Sequence, residues 1–296
     1  MRALALYAMK GRKQAFFLAT FFALIPFLGW IGSALMGLVT LRTGPREGFL
    51  LLLGLTFAGL VYLSFGAISF NYLIYDTLAN TLPTFLGALF LRHFSWNKLI
   101  EALTYLGLSV VILAHLFFPD LITTWTNKLI SLLHYFNEST STEVAHHTTQ
   151  TLALTLAQYA TGIQTAAATL AVLFNLIIAR YMQASLYHPG GLKKELQKIH
   201  IPTQLGYLLI LMSLLALFKI KITQDLLPVI LLPFACAGLS LFHDFISKRN
   251  SAWAWLILFY TLLCLALPYL CVVLIIVGFI DTFYELRTHL KVKGLS

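Results

Sequence analysis

The sequence predicts an all-α protein, a polytopic bundle of transmembrane helices, and three observations lead to this prediction. Hydrophobic residues make up 59% of the 296 residues and charged residues only 10%, whereas soluble domains carry roughly 25% charged residues. The apolar residues form a series of runs, most of which have the roughly 20 residues that one helix needs to cross a bilayer, or more. When the loops are assigned alternately to two sides, all 20 Lys and Arg except Lys128, Lys219 and Lys221 fall on one side. This is the positive-inside pattern of membrane proteins.

We therefore predict a single integral membrane domain over residues 1–296, with about ten spans and both termini in the cytoplasm. The net charge of +9 does not indicate nucleic-acid binding, because the basic residues lie at segment ends, where they meet anionic headgroups. The cysteines all lie inside apolar segments and lack the spacing of a disulfide framework or a zinc site. The predicted location is the inner membrane of a bacterium.

Two apolar runs are too long for one simple span. The first covers residues 14–41 and the last covers residues 252–286, and a proline interrupts each, at Pro26 and Pro268. Two short helices in each run keep the flanking basic residues on the cytoplasmic side. If each run is instead one long kinked helix, the count falls to about eight spans and both termini lie outside.

The segments between these runs follow in chain order. Spans are expected near residues 48–68, 71–91, 96–118, 152–186, 203–219 and 226–243. The external loop at 119–151 is expected to begin with a helix in the outer interface, because Leu121, Trp125 and Leu129 recur at helical spacing. Its second half is polar and is expected to be mobile. The amphipathic segment at 187–202 is expected on the cytoplasmic side.

The fourth predicted span carries the densest set of polar residues in the apolar segments. Asp76, Asn80, Pro83, Thr84 and Gly87 share one helical face, and Pro83 should kink the helix by freeing the carbonyl of Ala79. A polar side chain in lipid is costly and tends to face the bundle interior. This face could therefore bind a solute near the midplane. The alternative is a hydrogen-bonded cluster that only holds helices together.

The helix predicted at 152–186 offers a second face, on which small and polar residues recur at alternating intervals. Gln164 and Asn175 lie on this face. Small residues at this period usually indicate close helix packing, but the two amides could also complete a cavity beside the fourth span.

Two cytoplasmic features remain open. Gly190 and Gly191 precede a short amphipathic stretch that contains Lys193 and Lys194, and this stretch could bind anionic lipid or dock a partner.

Asp281 and Glu285 lie one turn apart near the inner end of the last span, and Arg180 lies at the inner end of another span. This arrangement favours an ion pair at the membrane edge.

No catalytic signature is found in the chain, so we predict no enzyme activity, no cofactor and no metal site. His134, His146 and His147 share the external loop, but no acidic or cysteine partner falls at ligand spacing.

Two parts of the sequence resemble the YybS-like family of bacterial multi-pass membrane proteins, whose function is unknown. They are the opening MRALALYAMKGRKQA and the run ARYMQASLYHPGGLKKELQKIHIP, with the later ending Asp281-x-x-x-Glu285-x-Arg287. That family is distantly similar to the S components of energy-coupling-factor transporters. S components bind a vitamin or similar micronutrient and act with a transmembrane T component that is driven by ATPases.

The resemblance implies a docking surface on the first span. The first helix of S components carries Ala-x-x-x-Ala spacings that meet the T component, and Ala15, Ala19 and Ala23 have this spacing. S components have about six spans, whereas about ten are predicted here, so the resemblance implies a transport-related class and names no substrate.

Together these observations predict a solute-binding or transport subunit. Asp76 and Asn80 would contact the solute, while Thr84, Gln164 and Asn175 would complete the site. The expected partners are the lipid bilayer and a T-type subunit with ATPases, or other membrane proteins. The alternative is a non-catalytic scaffold or envelope-assembly factor that docks partners through residues 187–202.

Overall fold

A computed structural model describes the backbone of residues 1–136, 143–218, 220–247, 252–284 and 286–287. Side chains are described in these ranges except at residues 134–136, 143–149, 221 and 252. The side chains of His134, His146 and His147 are therefore outside the described part of the structure. All regular structure in these ranges is helical, as the composition predicts.

Among the described residues, five helices are long and apolar enough to cross a membrane, by length and composition: Pro45–Ser64, Trp96–Phe117, Ala160–Tyr187, Ile222–Ser247 and Leu267–Tyr284. Two shorter helices are also apolar, Thr203–Leu217 and Trp253–Leu265. The count of about ten spans and the side on which each terminus lies remain predictions.

The chain forms fifteen α-helices and one π-turn among the described residues. They are α1 (Arg2–Ala8), α2 (Arg12–Ala23), α3 (Gly29–Thr43), α4 (Pro45–Ser64), α5 (Phe70–Asp76), the π-turn (Thr77–Thr81), α6 (Leu82–Phe90), α7 (Trp96–Phe117), α8 (Leu121–Phe136), α9 (Glu143–Ala157), α10 (Ala160–Tyr187), α11 (Gly191–Leu196), α12 (Thr203–Leu217), α13 (Lys221–Ser247), α14 (Ala252–Leu265) and α15 (Leu267–Tyr284). They divide into two compact units: unit one is Met1–Ile100 with Ala168–Ile199, and unit two is Glu101–Ala167 with His200–Ser296.

In unit one, α2 and α4 run in the same direction. Arg12 at the start of α2 donates to Glu47 near the start of α4, with 2.7 Å between Nε and Oε2. At the other end, the hydroxyl of Tyr62 donates to the carbonyl of Leu24 at 2.9 Å. Because matching ends of the two helices meet, α2 and α4 are parallel.

Helix α3 is the core of unit one, since every residue from Ile31 to Leu41 is buried. It runs antiparallel to α4: Gly48 lies against Thr40, and Gly32 lies against Leu55. The chain therefore reverses between α2 and α3, and the first apolar run is two helices, not one kinked helix. The reversal passes through Phe27, which has a positive φ of 65°.

The next helices of unit one continue this alternation. The stretch from α5 to α6 is antiparallel to α4, because Gly59 lies against Leu73 and the rings of Phe49 and Phe85 are 6.4 Å apart. Helix α10 then runs parallel to α3. Its Phe174 ring contacts Trp30 and its Ala179 lies against Gly37. These are the relative directions that the loop charges predict for these segments.

Unit two departs from the prediction in two places. The second half of the external loop was expected to be polar and mobile to residue 151, but the helix α9 begins at Glu143. The long helix expected at 152–186 is also interrupted, because α9 ends at Ala157 and α10 begins at Ala160. The expected helix at the start of the loop is present as α8.

The last apolar run is divided at Ala266, two residues before Pro268. Pro268 has no backbone amide to donate, so the carbonyl of Cys264 lacks the partner that it would have in a continuous helix. Helix α15 then packs closely on α13 through two glycines. Gly278 lies against the carbonyl of Phe234, and Gly238 lies against the carbonyl of Leu274. A side chain at either glycine would collide with backbone.

Candidate functional site

The polar face of the fourth predicted span lies on an irregular helix. Between α5 and α6 the backbone widens into the π-turn, in which the amide of Leu82 donates to the carbonyl of Thr77, five residues earlier. The turn ends two residues before Pro83, whose missing amide interrupts the ordinary α-helical pattern. The sequence predicts a kink here, and the structure has a π-turn, a feature that is frequent at functional sites.

The π-turn brings two polar side chains, Asn80 and Thr81, to the carboxylate of Asp76. Asn80 Nδ2 donates to Asp76 Oδ1 at 3.3 Å, and the Thr81 hydroxyl donates to Asp76 Oδ2 at 3.4 Å. In a regular α-helix, residues five apart point in different directions, but the wider π-turn aligns them. Thr81 was therefore not among the predicted site residues, since the face was assigned with α-helical spacing.

Asn175 of α10 completes this cluster from a neighbouring helix of unit one. Its Nδ2 donates to Asn80 Oδ1 at 3.0 Å and lies 3.4 Å from the Thr84 hydroxyl, which itself donates to the carbonyl of Asn80 at 2.7 Å. Thr84 is fully buried and Asn175 is 2% exposed, whereas Asp76 is half-buried. We call Asp76, Asn80, Thr81, Thr84 and Asn175 the polar cluster.

Four of the five predicted solute-binding residues are thus brought together. The fifth, Gln164, belongs to the part of α10 within unit two, and its role remains a prediction. Close packing supports the cluster, because Gly87 of α6 lies against the side chain of Leu176 in α10.

The predicted docking alanines are used inside unit one. Ala15 is 3% exposed and Ala19 is 1% exposed, and the carbonyl of Ala19 and the amide of Ala23 lie against Gly32 of α3. A partner could reach this face only if α2 separated from α3. Their docking role therefore remains a prediction that the packing does not favour.

Helix α11 is attached to unit one by its single acidic residue. Arg180 donates to both oxygens of Glu195, at 3.0 and 2.7 Å, and Trp96 Nε1 donates to Oε2 at 3.1 Å. Burial alone would raise the pKa of Glu195, but these hydrogen bonds outweigh it and the pKa lies below its ordinary value. Gly190, with a φ of 82°, makes the left-handed turn before the helix, as favoured for glycine.

Arg180 pairs with Glu195, and the ion pair expected between Arg180 and the acidic end of the last span remains a prediction. Asp281 lies in unit two and is 1% exposed. Its Oδ2 is 3.5 Å from Arg287 Nε and 3.6 Å from His200 Nδ1. Glu285, the other predicted member of this group, lies outside the described residues.

Unit two contains a buried pair that the sequence did not single out. His115 Nε2 and Asp225 Oδ2 are 2.9 Å apart, and the amide of Gly162 donates to Asp225 Oδ1 at 2.6 Å. Gly162 is in the first turn of α10, so the carboxylate satisfies one of the free amides of the helix start. Only glycine fits, because a Cβ would collide with the carbonyl of Asp225. The predicted topology places His115 and Asp225 on one side, but their pairing cannot be read from it.

No group of three His, Cys, Asp or Glu side chains in the described part of the chain is arranged to hold a metal ion.

The helices define the class of the protein: an integral membrane protein with a helical transmembrane region. No family model matches the chain, and neither a curated protein nor a solved structure is similar enough to match.

Proposed function

We propose that the protein is a solute-binding or transport subunit of the bacterial inner membrane, similar to the S component of an energy-coupling-factor transporter. The observation that carries the proposal is the polar cluster. Five hydrogen-bonding side chains converge on a π-turn within helices that are mainly apolar. Polar groups at membrane depth are costly and mark substrate or ion pathways, and irregular helices commonly form the solute sites of transporters.

In this proposal Asp76 and Asn80 contact the solute. Asp76 is the half-buried member of the cluster, so its carboxylate can exchange the hydrogen bonds from Asn80 and Thr81 for bonds to a ligand. The long distances of those two bonds, 3.3 and 3.4 Å, make them weak. Thr84 and Asn175 hold Asn80 in place, and the predicted role of Gln164 is not needed for this part of the site. The resemblance to the YybS-like family supports the same class.

A thermal-shift screen against water-soluble vitamins tests the proposal on the purified protein. A bound solute should raise the unfolding temperature of the wild type, because ligand binding stabilises the folded state. Asp76→Asn should abolish this rise while keeping the folded yield. Asp120→Asn is the matched control, because it makes the same chemical change at an exposed carboxylate and should respond like the wild type.

A vitamin that stabilises Asp76→Asn as well as the wild type would show that the site is elsewhere. A complete absence of binding, with uptake in cells unchanged on deletion of the protein, would overturn the proposed function.

Purification from native membranes in mild detergent tests the proposed partners. Co-purified ATPases and a T-type membrane subunit would support a transport module. Envelope-assembly proteins in their place would favour the alternative function as a scaffold, for which the exposed Lys193 and Lys194 of α11 offer a docking surface.

A further inference from the structure

Helix α11 lies beside the ends of two helices that are able to span a membrane. Helix α10 ends at Tyr187, four residues before α11 begins, and α7 begins at Trp96. Trp96 and Arg180 hold α11 in this place through Glu195. Tyrosine and tryptophan at span ends mark the membrane–water interface. This places α11 at the level of the lipid headgroups.

The anchoring of Glu195 leaves a cationic surface on α11. Lys193, Lys194 and Lys198 are all exposed, and within the part of the chain that the structure describes none of the three forms an ion pair. The apolar residues of this segment face the protein instead: Ile199 is buried, and Leu192 and Leu196 are half-buried. The outward surface of α11 and the residues that follow it is therefore positively charged, and it offers no apolar docking face.

Further arginines lie at the same end of unit one. Arg42, at the end of α3, lies over the ring of Tyr187 at 4.3 Å, and Arg92 donates to the carbonyl of Thr40 at 3.0 Å. The acidic residues here are already neutralised, since Glu47 pairs with Arg12 and Glu195 pairs with Arg180. The chain thus offers the three lysines no free carboxylate at this end among the described residues.

We propose that Lys193, Lys194, Lys198 and Arg42 bind the phosphate headgroups of anionic phospholipids. The phosphate of such a lipid carries the negative charge that would pair with these side chains. It lies at the level of the headgroups, where α11 also lies. A basic residue near an anionic membrane contributes about 1 kcal/mol, which is roughly a fivefold change in affinity. The proposal does not depend on transport, because the polar cluster and its solute have no part in it.

Native mass spectrometry of the full-length, delipidated protein tests the proposal by titration with phosphatidylglycerol and with phosphatidylcholine. The wild type should bind phosphatidylglycerol about tenfold more tightly or better. The triple variant Lys193→Gln/Lys194→Gln/Lys198→Gln should lose this preference with an unchanged unfolding temperature, because the three side chains are exposed. Lys10→Gln/Lys13→Gln is the control, since both of its lysines are exposed near the start of α2, and it should keep the preference.

Three results would overturn the proposal. The first is equal binding of both lipids by the wild type, and the second is an unchanged preference for phosphatidylglycerol in the triple variant. The third is a loss of that preference in the control as large as in the triple variant, which would indicate an effect of net charge and not a binding site. Loss of a co-purifying protein from the triple variant, with lipid binding unchanged, would identify α11 as a protein-docking surface instead.

Discussion

Glu195 illustrates how one side chain positions a whole segment. Three hydrogen bonds from Arg180 and Trp96 converge on its carboxylate, and they require the ionised form. The pKa of Glu195 is therefore lower in the folded protein than in the unfolded chain. Because the folded-state pKa is depressed, the stabilisation is present above the unfolded value, about 4.3, and is lost as the pH falls through the folded value.

We predict that Glu195→Gln lowers the unfolding temperature near pH 7 and that its difference from the wild type shrinks below about pH 4. Glutamine keeps the shape but carries no charge to hold Arg180. Thermal unfolding in detergent between pH 7 and pH 3.5 measures the difference. Asp120→Asn, at an exposed carboxylate, should show little difference at either pH. A constant gap between Glu195→Gln and the wild type across this range would contradict the prediction.

Single residues also show where sequence reasoning reached its limit. Asp76, Asn80 and Thr84 could be assigned to one face because α-helical spacing relates them. Thr81 could not be assigned, because it joins Asp76 only through the π-turn. Asp225 was missed for another reason. Its partners, His115 and Gly162, belong to different helices, and a single sequence does not tell which helices pack together.

At the scale of helices, the small residues of α2 pack within the protein. Ala19 is 1% exposed, and its carbonyl lies against Gly32 of α3. The sequence can predict that alanines at this spacing form a close contact. It cannot predict whether the contact is with a partner or with the next helix of the same chain, because both need the same small residues.

We predict that Ala19→Leu destabilises the isolated protein by about 1–3 kcal/mol, because the larger side chain must displace α3. Phe17→Leu is the control on the same helix, since Phe17 is 69% exposed and its replacement should change stability little. Unfolding of both variants in mixed detergent micelles gives the two free energies. If Ala19→Leu unfolds like the wild type but no longer retains a membrane partner, the alanine face is a docking surface after all.

At the scale of the whole molecule, the class of the protein and the relative directions of several helices could be predicted from the sequence. The positions at which some helices begin and end could not be predicted. Apolar runs and loop charges predict the alternating directions of helices α2 to α6, because water and lipid headgroups favour charged loops at the ends of every apolar segment. The break between α9 and α10 and the helix beginning at Glu143 depend on tertiary packing, which leaves no comparable mark on composition.

The two ends of unit one differ in chemistry, which bears on its orientation. Arg12, Arg42 and Arg92 lie at one end. At the other end the chain reverses through Phe27 and Phe65, which are 96% and 83% exposed. The positive-inside rule predicts that the arginine end lies on the cytoplasmic side. Helices α2 and α3 have only 12 and 15 residues, which is about 18 and 22 Å of helix against a hydrocarbon core of about 30 Å.

We predict that α2 and α3 nevertheless cross the membrane as a pair, with local thinning of the bilayer, because mismatch costs only fractions of a kcal/mol per Å. In a variant without the three native cysteines, Phe27→Cys should react with an impermeant maleimide added to intact spheroplasts. Arg46→Cys should react only after the membrane is opened. If Phe27→Cys stays unlabelled until then, the two helices enter the membrane from the cytoplasm and return, and the predicted number of spans falls by two.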